Sequence, residues 1–333
     1  MNILIISPDA PPHKGGISRL VGLLKSGLER MGHHVTLAHP KLRVREIKFS
    51  SIPFRKYYGK YDLIHLHGPT PLLSDLTLII NRKTPIVYTH HAEVSWISEE
   101  LSKIYRGLHR FLARRAKAII VHSQDYARLF NRANVLVVRM PCAFKPPNNF
   151  DIGWKNDPFT VLYVGQFRPF KGLNILIKAA KALSNVNFAL VGDGYLKPKI
   201  MRMAGGLRNV RFYTAASDEE LMNLYKRAHV ICLPSLNTTE GYGLVLIEGA
   251  LYGCIPLASN LPGVRENVSH LGGLLFEPKS PASLIKSIKT LSTNRELWAK
   301  IAENVQRNAC TYVNTYTPEY YIKTHEEIFK KCL

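Results

Sequence analysis

Two glutamates bracket the most informative stretch of the chain. They lie in Glu240-Gly241-Tyr242-Gly243-Leu244-Val245-Leu246-Ile247-Glu248, where a glycine turn leads into an apolar run. A helix opening near Gly243 leaves Glu240 in the preceding loop and puts Glu248 in its second turn. One carboxylate can then accept hydrogen bonds from a bound sugar, and the other from a ribose diol. Glu248 has Leu246, Ile247, Ala250 and Leu251 for neighbours. It is therefore expected to be partly buried, which is costly for a carboxylate without a partner. A solvent-facing helix glutamate is the plainer alternative, and those neighbours speak against it.

Cations stand at a second glycine turn, Val164-Gly165-Gln166-Phe167-Arg168-Pro169-Phe170-Lys171-Gly172, between an apolar run and a helical pattern. Arg168 and Lys171 beside exposed backbone N–H groups are suited to a diphosphate. Solvated loop cations are the plain alternative. Pro11-Pro12-His13-Lys14-Gly15-Gly16-Ile17-Ser18 is a third turn of this kind. It lacks the GxGxxG fingerprint of dinucleotide binding and the Gly-Lys-Ser/Thr of a P-loop. A tight turn between strand and helix explains Gly15 and Gly16 as well as an anion does. His33-His34 and His90-His91 are adjacent pairs with no accompanying cysteine or carboxylate pattern, so no metal site is expected. The chain has no Asp-x-Asp, which fits phosphate chemistry without a divalent ion.

Strands and helices must position these groups. Asn2–Ser7 is a continuous apolar run, and Ile17–Met31 has helical spacing at Leu20, Val21, Leu24 and Leu28 before Gly32 stops it. His34–Ala38, Leu63–Leu66, Ile86–Tyr88, Ala118–His122 and Val135–Val138 predict further strands, with a basic helix over Leu101–Lys117. Proline and asparagine then break the pattern over Pro141–Pro158, the best linker candidate. Strands follow at Val161–Val164, Phe188–Val191, Val210–Phe212, Val230–Leu233 and Ile255–Ala258, with helices at Gly172–Leu183 and around Gly243–Tyr252. From Pro281 the chain is helical throughout. Strand–helix alternation implies parallel sheets. The fold class expected is α/β, with two doubly wound, Rossmann-like domains spanning 1–145 and 150–315.

The 333 residues are 46% hydrophobic and 21% charged, which excludes a disordered or low-complexity chain. No apolar run reaches the roughly 18–20 residues of a membrane-spanning helix, and the N-terminus reads as a buried strand rather than a signal peptide. Five cysteines without a CxxC pair suit reduced thiols in the cytoplasm. The formal charge is +21, and the first 150 residues hold 23 basic against 9 acidic side chains. Such a field favours polyanions: nucleic acid, an anionic lipid surface or phosphorylated small molecules.

Taken in order, the motifs resemble the retaining, nucleotide-sugar-dependent glycosyltransferases of family 4, which have the GT-B fold. The resemblance runs almost end to end. Gly15-Gly16 resembles the family's first glycine loop, Gly32-His33-His34-Val35 its GHxV segment and Thr89-His90-His91 its TxH element. Val164–Gly172 is similar to its VGRxxxxKG motif and Val191-Gly192-Asp193-Gly194 to its VGDGP turn. Leu233-Pro234-Ser235 with Glu240–Glu248 is similar to PS…EGFGxxxxE, and Pro262–Glu266 to GGxxE. Departures are Gln166 where the family often has Arg, Pro141-Cys142-Ala143-Phe144 where many members have Asn-Gly-Val/Ile-Asp, and Thr214 in place of a common glycine.

The resemblance implies transfer of a hexose-type sugar from a uridine- or guanosine-diphosphate sugar, with retention and without a metal or other cofactor. Glu240, His91 and Lys171 would be the catalytic residues. Gly15, Gly16, Gln166, Arg168, Lys171, Gly241, Tyr242, Gly243 and Leu244 would bind the donor diphosphate and sugar, and Glu248 the ribose. The domains would face each other across a cleft, the first taking the acceptor, with helix 316–333 packing back on it. A glycan or lipid-linked acceptor is implied. Basic residues interleaved with aromatics over 41–60, and the basic helix over 103–117, suggest an anionic membrane surface on the cytoplasmic side. A generally basic solvated surface is the plain alternative. Nucleic acid is not expected, since no binding module is present. A catalytically silent GT-B binding protein, and a GT-B epimerase or hydrolase, are the alternative functions.

Overall fold

A computed structural model describes residues 1–12, 15–40, 42–44, 47–49, 59–95, 98–147, 155 and 158–333, with backbone only for 42–44 and 47–49. In chain order, β1 (Asn2–Ile6), α1 (Gly16–Arg30), β2 (His34–Ala38), β3 (Leu42–Val44), β4 (Ile47–Phe49) and β5 (Leu63–Gly68) come first. They are followed by α2 (Leu73–Ile80), β6 (Ile86–His90), α3 (Glu99–Ala113), β7 (Ala118–Val121), α4 (Gln124–Ala127) and β8 (Val135–Val137). Next are β9 (Thr160–Val164), a 3-10 turn (Pro169–Lys171), α5 (Leu173–Ala182), β10 (Asn187–Val191), α6 (Lys197–Met203), β11 (Val210–Tyr213) and α7 (Asp218–Arg227). The remainder is β12 (Val230–Leu233), α8 (Leu244–Ala250), β13 (Ile255–Ser259), α9 (Val264–Leu271), β14 (Leu274–Phe276), α10 (Pro281–Thr293), α11 (Arg295–Thr315) and α12 (Pro318–Cys332).

The chain divides into two compact units: Met1–Pro141 with Tyr316–Leu333, and Cys142–Thr315. Each holds one parallel six-stranded sheet, ordered β2-β1-β5-β6-β7-β8 and β11-β10-β9-β12-β13-β14. The α/β class expected from the alternation is the one observed. Central strands such as Leu63–Gly68 and Ile86–His90 are buried at every position, because helices cover both faces of a parallel sheet. The order reverses between β1 and β5 in the first sheet and between β9 and β12 in the second. Crevices for ligands open at such reversals, beyond the carboxyl ends of the strands.

Several helices start on side-chain caps. Ser217 and Glu220 form a capping box on α7, and Thr317 caps α12. Within the first unit, α12 packs on α1: Ile322 lies so near Gly27 that an added Cβ would stand 2.3 Å from it. His33 Nε2 meets Glu326 Oε1 at 3.0 Å. Among the described residues no helix is long and apolar enough to cross a membrane. The expected basic segment 41–60 lies mostly outside the described residues, as do His13 and Lys14.

Candidate active site

The reversal point of the second sheet gathers the cationic turn and the first glutamate. After β9 the chain turns at Gly165 and runs through Gln166 to the 3-10 turn, while Pro234–Glu240 leaves the end of β12. Glycine lets these loops approach at backbone distance. A Cβ on Gly172, whose φ is +67°, would stand 1.8 Å from the Pro234 carbonyl oxygen, and one on Gly192 would stand 2.0 Å from that of Gly165. Leu236 N donates to Phe170 O at 2.7 Å and Phe167 N to Asp193 O at 2.8 Å, locking the loops together.

On that frame Lys171 Nζ meets Glu240 Oε2 at 2.6 Å, and Ser235 Oγ donates to the same oxygen at 3.0 Å. Glu240 is buried. Lys171 Nζ also lies 3.7 Å from where a Gly165 Cβ would be, so the ammonium sits against the turn. The Tyr163 hydroxyl, kept protonated by burial, donates to Gln166 O at 3.0 Å. Gln166, Arg168, Asp193, Gly194 and Tyr195 line an open cleft of about 390 Å³. A largely buried cation–carboxylate pair, its lysine on the same turn as Gln166 and Arg168, which line that cleft, can present positive charge to a phosphate and acceptor oxygens to hydroxyls.

Downstream, Asn267 Nδ2 donates to the Tyr242 carbonyl at 2.7 Å and fixes the Gly241–Gly243 turn. The Tyr242 ring points away from the turn into the core, where its hydroxyl bonds that of Tyr312. What Tyr242 can offer a ligand is its backbone. Gly243 takes φ +76° ahead of Leu244, the first residue of α8. Glu248 is buried on α8, and its Oε2 accepts from the Tyr225 hydroxyl at 2.8 Å. Burial, with the carboxylate beside it, holds that phenol well above its ordinary value, so it remains a donor. Burial, with Glu248 nearby, pushes the Cys142 thiol up to about 12.

Gly15, Gly16 and His91 lie in the first unit. Gly15 and Gly16 open α1, and no atom lies within 4 Å of a Cβ added to either; neither packing nor φ calls for glycine there. His91 follows β6 and is buried. Its neighbours define its tautomer. His122 Nδ1 stands 2.8 Å from the Val138 carbonyl, which can only accept, so Nδ1 carries the proton. His122 Nε2 then accepts from His91 Nδ1 at 3.3 Å, and His91 Nε2 accepts from His67 Nδ1 at 2.8 Å. Both nitrogens of His91 are thus engaged by other rings. Desolvation keeps His67, His91 and His122 neutral, with His122 lowered to about 3.

Lys171, Arg168, Gln166, Glu240 and the Gly241–Leu244 turn, with Glu248 on α8, belong to the second unit; Gly15, Gly16 and His91 belong to the first. Sequence reasoning did not find Ser235 as a partner of Glu240, Tyr225 as a partner of Glu248, or the His67–His91–His122 chain. The Ser235 hydroxyl beside Pro234 was a visible polar cue; the others carry no local one. Among the described residues, no group of three or more His, Cys, Asp or Glu side chains is arranged to hold a metal ion.

Residues 14–138 match the family model described as Glycosyltransferase Family 4, and residues 144–308 the one described as Glycosyl transferases group 1. An O-antigen chain mannosyltransferase of Escherichia coli is 27% identical over 297 residues, 84% of this chain and 78% of that protein. An uncharacterised glycosyltransferase of Methanocaldococcus jannaschii is 34% identical over 252 residues, 73% of this chain and 69% of that protein. Among solved structures, an Anabaena protein, HepE, in complex with UDP-glucose aligns with a TM-score of 0.75 at 21% identity. The alignment covers 99% of this chain and 100% of that one. That likeness identifies the fold as α/β GT-B. With family models over both units and a one-third identical relative over most of its length, the chain belongs to the glycosyltransferases, a family 4 unit followed by a group 1 unit.

Proposed function

We propose that the protein transfers a hexose-type sugar from a nucleotide-diphosphate sugar to a glycan or lipid-linked acceptor, with retention at the anomeric carbon and without a metal ion. The observation that carries this reading is the Lys171–Glu240 pair, 2.6 Å apart at the reversal point of the second sheet. The names of the relatives support it. One is an O-antigen chain mannosyltransferase, and HepE was crystallised with UDP-glucose.

In this reading the bond from the anomeric carbon to the diphosphate oxygen breaks. The acceptor oxygen bonds to that carbon on the same face, and its proton passes to the departing phosphate, so no dedicated base is required. Lys171 and Arg168 neutralise the charge growing on the diphosphate, the largest single contribution expected, and Gln166 contributes hydrogen bonds beside them. Glu240 accepts from the sugar hydroxyls once Lys171 turns towards phosphate. Backbone N–H groups of Gly241, Tyr242, Gly243 and Leu244 serve the donor, and Glu248, oriented by Tyr225, accepts from the ribose diol. From the first unit, Gly15 and Gly16 let substrate approach the start of α1. His91 contacts the sugar through the ring nitrogen that His67 or His122 releases. The enzyme works on the cytoplasmic side.

A thermal-shift panel of nucleoside diphosphates and their sugars, with and without EDTA, tests donor binding. Stabilisation by one nucleotide class, indifferent to EDTA and lost in Glu248→Ala, is expected. Stabilisation that EDTA removes overturns the metal-free part. Donor binding without transfer to any glycan or lipid-linked acceptor overturns the transferase reading in favour of a silent binding protein.

A further inference from the structure

Helix α3 is amphipathic, yet four of its large apolar side chains point outward. The side chains it buries are Ser102, Tyr105, His109 and Ala113. Beneath them lies a polar network: His109 Nδ1 meets Asp75 Oδ1 at 2.5 Å, and His109 Nε2 meets the Tyr88 hydroxyl at 2.7 Å. The Tyr105 hydroxyl donates to Asp75 Oδ2 at 3.1 Å. On the flank, Arg106 and Arg110 reach the buried carboxylate of Glu93 at 3.2 and 3.3 Å. The helix is held to its unit by these hydrogen bonds and ion pairs together with Ala113 and Leu112, which pack on the core at its last turn.

Four large apolar residues of the helix face away from that network. Leu101, Ile104, Leu108 and Phe111 are 56, 69, 56 and 64% exposed. Spacings of three, four and three put them on one stripe of the helix. Scattered apolar side chains on a surface are ordinary, but four on one helical stripe mark a contact surface. Leu72, 50% exposed at the start of α2, lies beside the same network, since its N–H donates to Asp75 Oδ2 at 3.1 Å.

We propose that this stripe docks on an anionic phospholipid bilayer, with Leu101, Ile104, Leu108 and Phe111 inserted among the acyl chains. Charge selects that occupant. Lys103, Arg114, Arg115 and Lys117 are exposed on the helix and just beyond its end, and Arg132 adds a fifth cation by bonding the Arg114 carbonyl at 2.6 Å. Acidic residues on the helix are confined to Glu99 and Glu100 in its first turn. An apolar stripe edged by cations matches the interface of a negatively charged leaflet. A second copy of the chain would bring cations of the same sign together across the same stripe. Docking gives a lipid-linked acceptor a surface to arrive on, but the proposal does not depend on the transfer reaction.

Co-sedimentation of the full chain with phosphatidylcholine vesicles, plain or with about a third phosphatidylglycerol, tests it without any sugar substrate. Binding only to the anionic vesicles is expected. Ile104→Ser/Leu108→Ser should weaken it on the order of 100-fold, and Arg114→Glu/Arg115→Glu at least roughly tenfold, the latter most at low salt. These side chains are exposed, so circular dichroism should be unchanged. Should the first pair perturb folding, Leu101→Ser/Phe111→Ser asks the same question. No binding by the wild type overturns the proposal. So does anionic binding that the serine variants retain, or a wild-type dimer that those variants dissociate. None of these results bears on donor binding, which the thermal-shift panel reads separately.

Discussion

Lys171 and Glu240 hold each other at 2.6 Å with side chains 16 and 10% exposed, so removing either leaves the other buried and uncompensated. Lys171→Ala should lower turnover on the order of 100- to 1,000-fold and stability by about 3 kcal/mol. Lys171→Met combined with Glu240→Gln should regain most of that stability and none of the turnover, a split that urea melts and a transfer assay read independently. Two glycines separate backbone need from ligand need. Gly172→Ala should cost more than about 2 kcal/mol, because its Cβ would meet the Pro234 carbonyl at 1.8 Å and its φ is +67°. Gly16→Ala has no such neighbour; it should melt within about 0.5 kcal/mol of wild type while its substrate KM rises. Glu240, Glu248 and Lys171 were legible in the sequence because a glycine turn and its helix are local events. Tyr225 and His122 were not. The hydroxyl on Glu248 comes from 23 residues away and the ring on His91 from 31, separations that only packing resolves.

At the scale of the element, neutral histidines are threaded through the first sheet. His65 and His67 lie on β5, His91 follows β6, His122 follows β7 and His325 lies on α12; burial holds all five below their ordinary value, His122 to about 3 and His325 to about 4. The unfolded chain binds protons below about pH 6.5 that the folded chain refuses. Stability is therefore complete above that pH and falls as pH drops towards the folded values. Five rings acting together give a slope of roughly 6 kcal/mol per pH unit near pH 5.5. Urea midpoints measured from pH 8 to 5 should collapse over about one unit, and His122→Asn should make the fall shallower; a flat profile would mean the rings are charged in the fold. In sequence, His65 and His67 alternate like the wet positions of a half-exposed strand, but helices on both faces of a parallel sheet leave no wet side. Helix α3 gives the same lesson in reverse. Its periodicity was readable, whereas which stripe faced inward depended on Asp75 and Glu93 waiting beneath it. At Gly107 on that helix nothing lies within 4 Å of an added Cβ, so Gly107→Ala should stabilise by about 0.5–1 kcal/mol in a thermal melt.

Across the whole molecule, the parallel α/β class was the most legible property, whereas the order of strands within each sheet came only with the fold. Apolar β-rich runs alternating with helical spacing admit few arrangements other than parallel sheets. Short elements escaped: β14 has three residues, and α7 and α9, of ten and eight residues, lie where no helix was anticipated. The last helix shows what connectivity demands. Pro318–Cys332 belongs to the unit that begins at Met1, wedging Ile322 against Gly27 and carrying His325 and Phe329 to the ring of His65 at 5.4 and 5.0 Å. A chain ending at Thr315 should leave those surfaces bare and the first unit protease-sensitive, while Cys142–Thr315 stays resistant. On the ribosome the same arrangement reverses the usual N-to-C order of maturation. The amino-terminal sheet leaves the exit tunnel first yet must wait, with one flank uncovered, until the whole second unit and then Pro318–Cys332 have been translated.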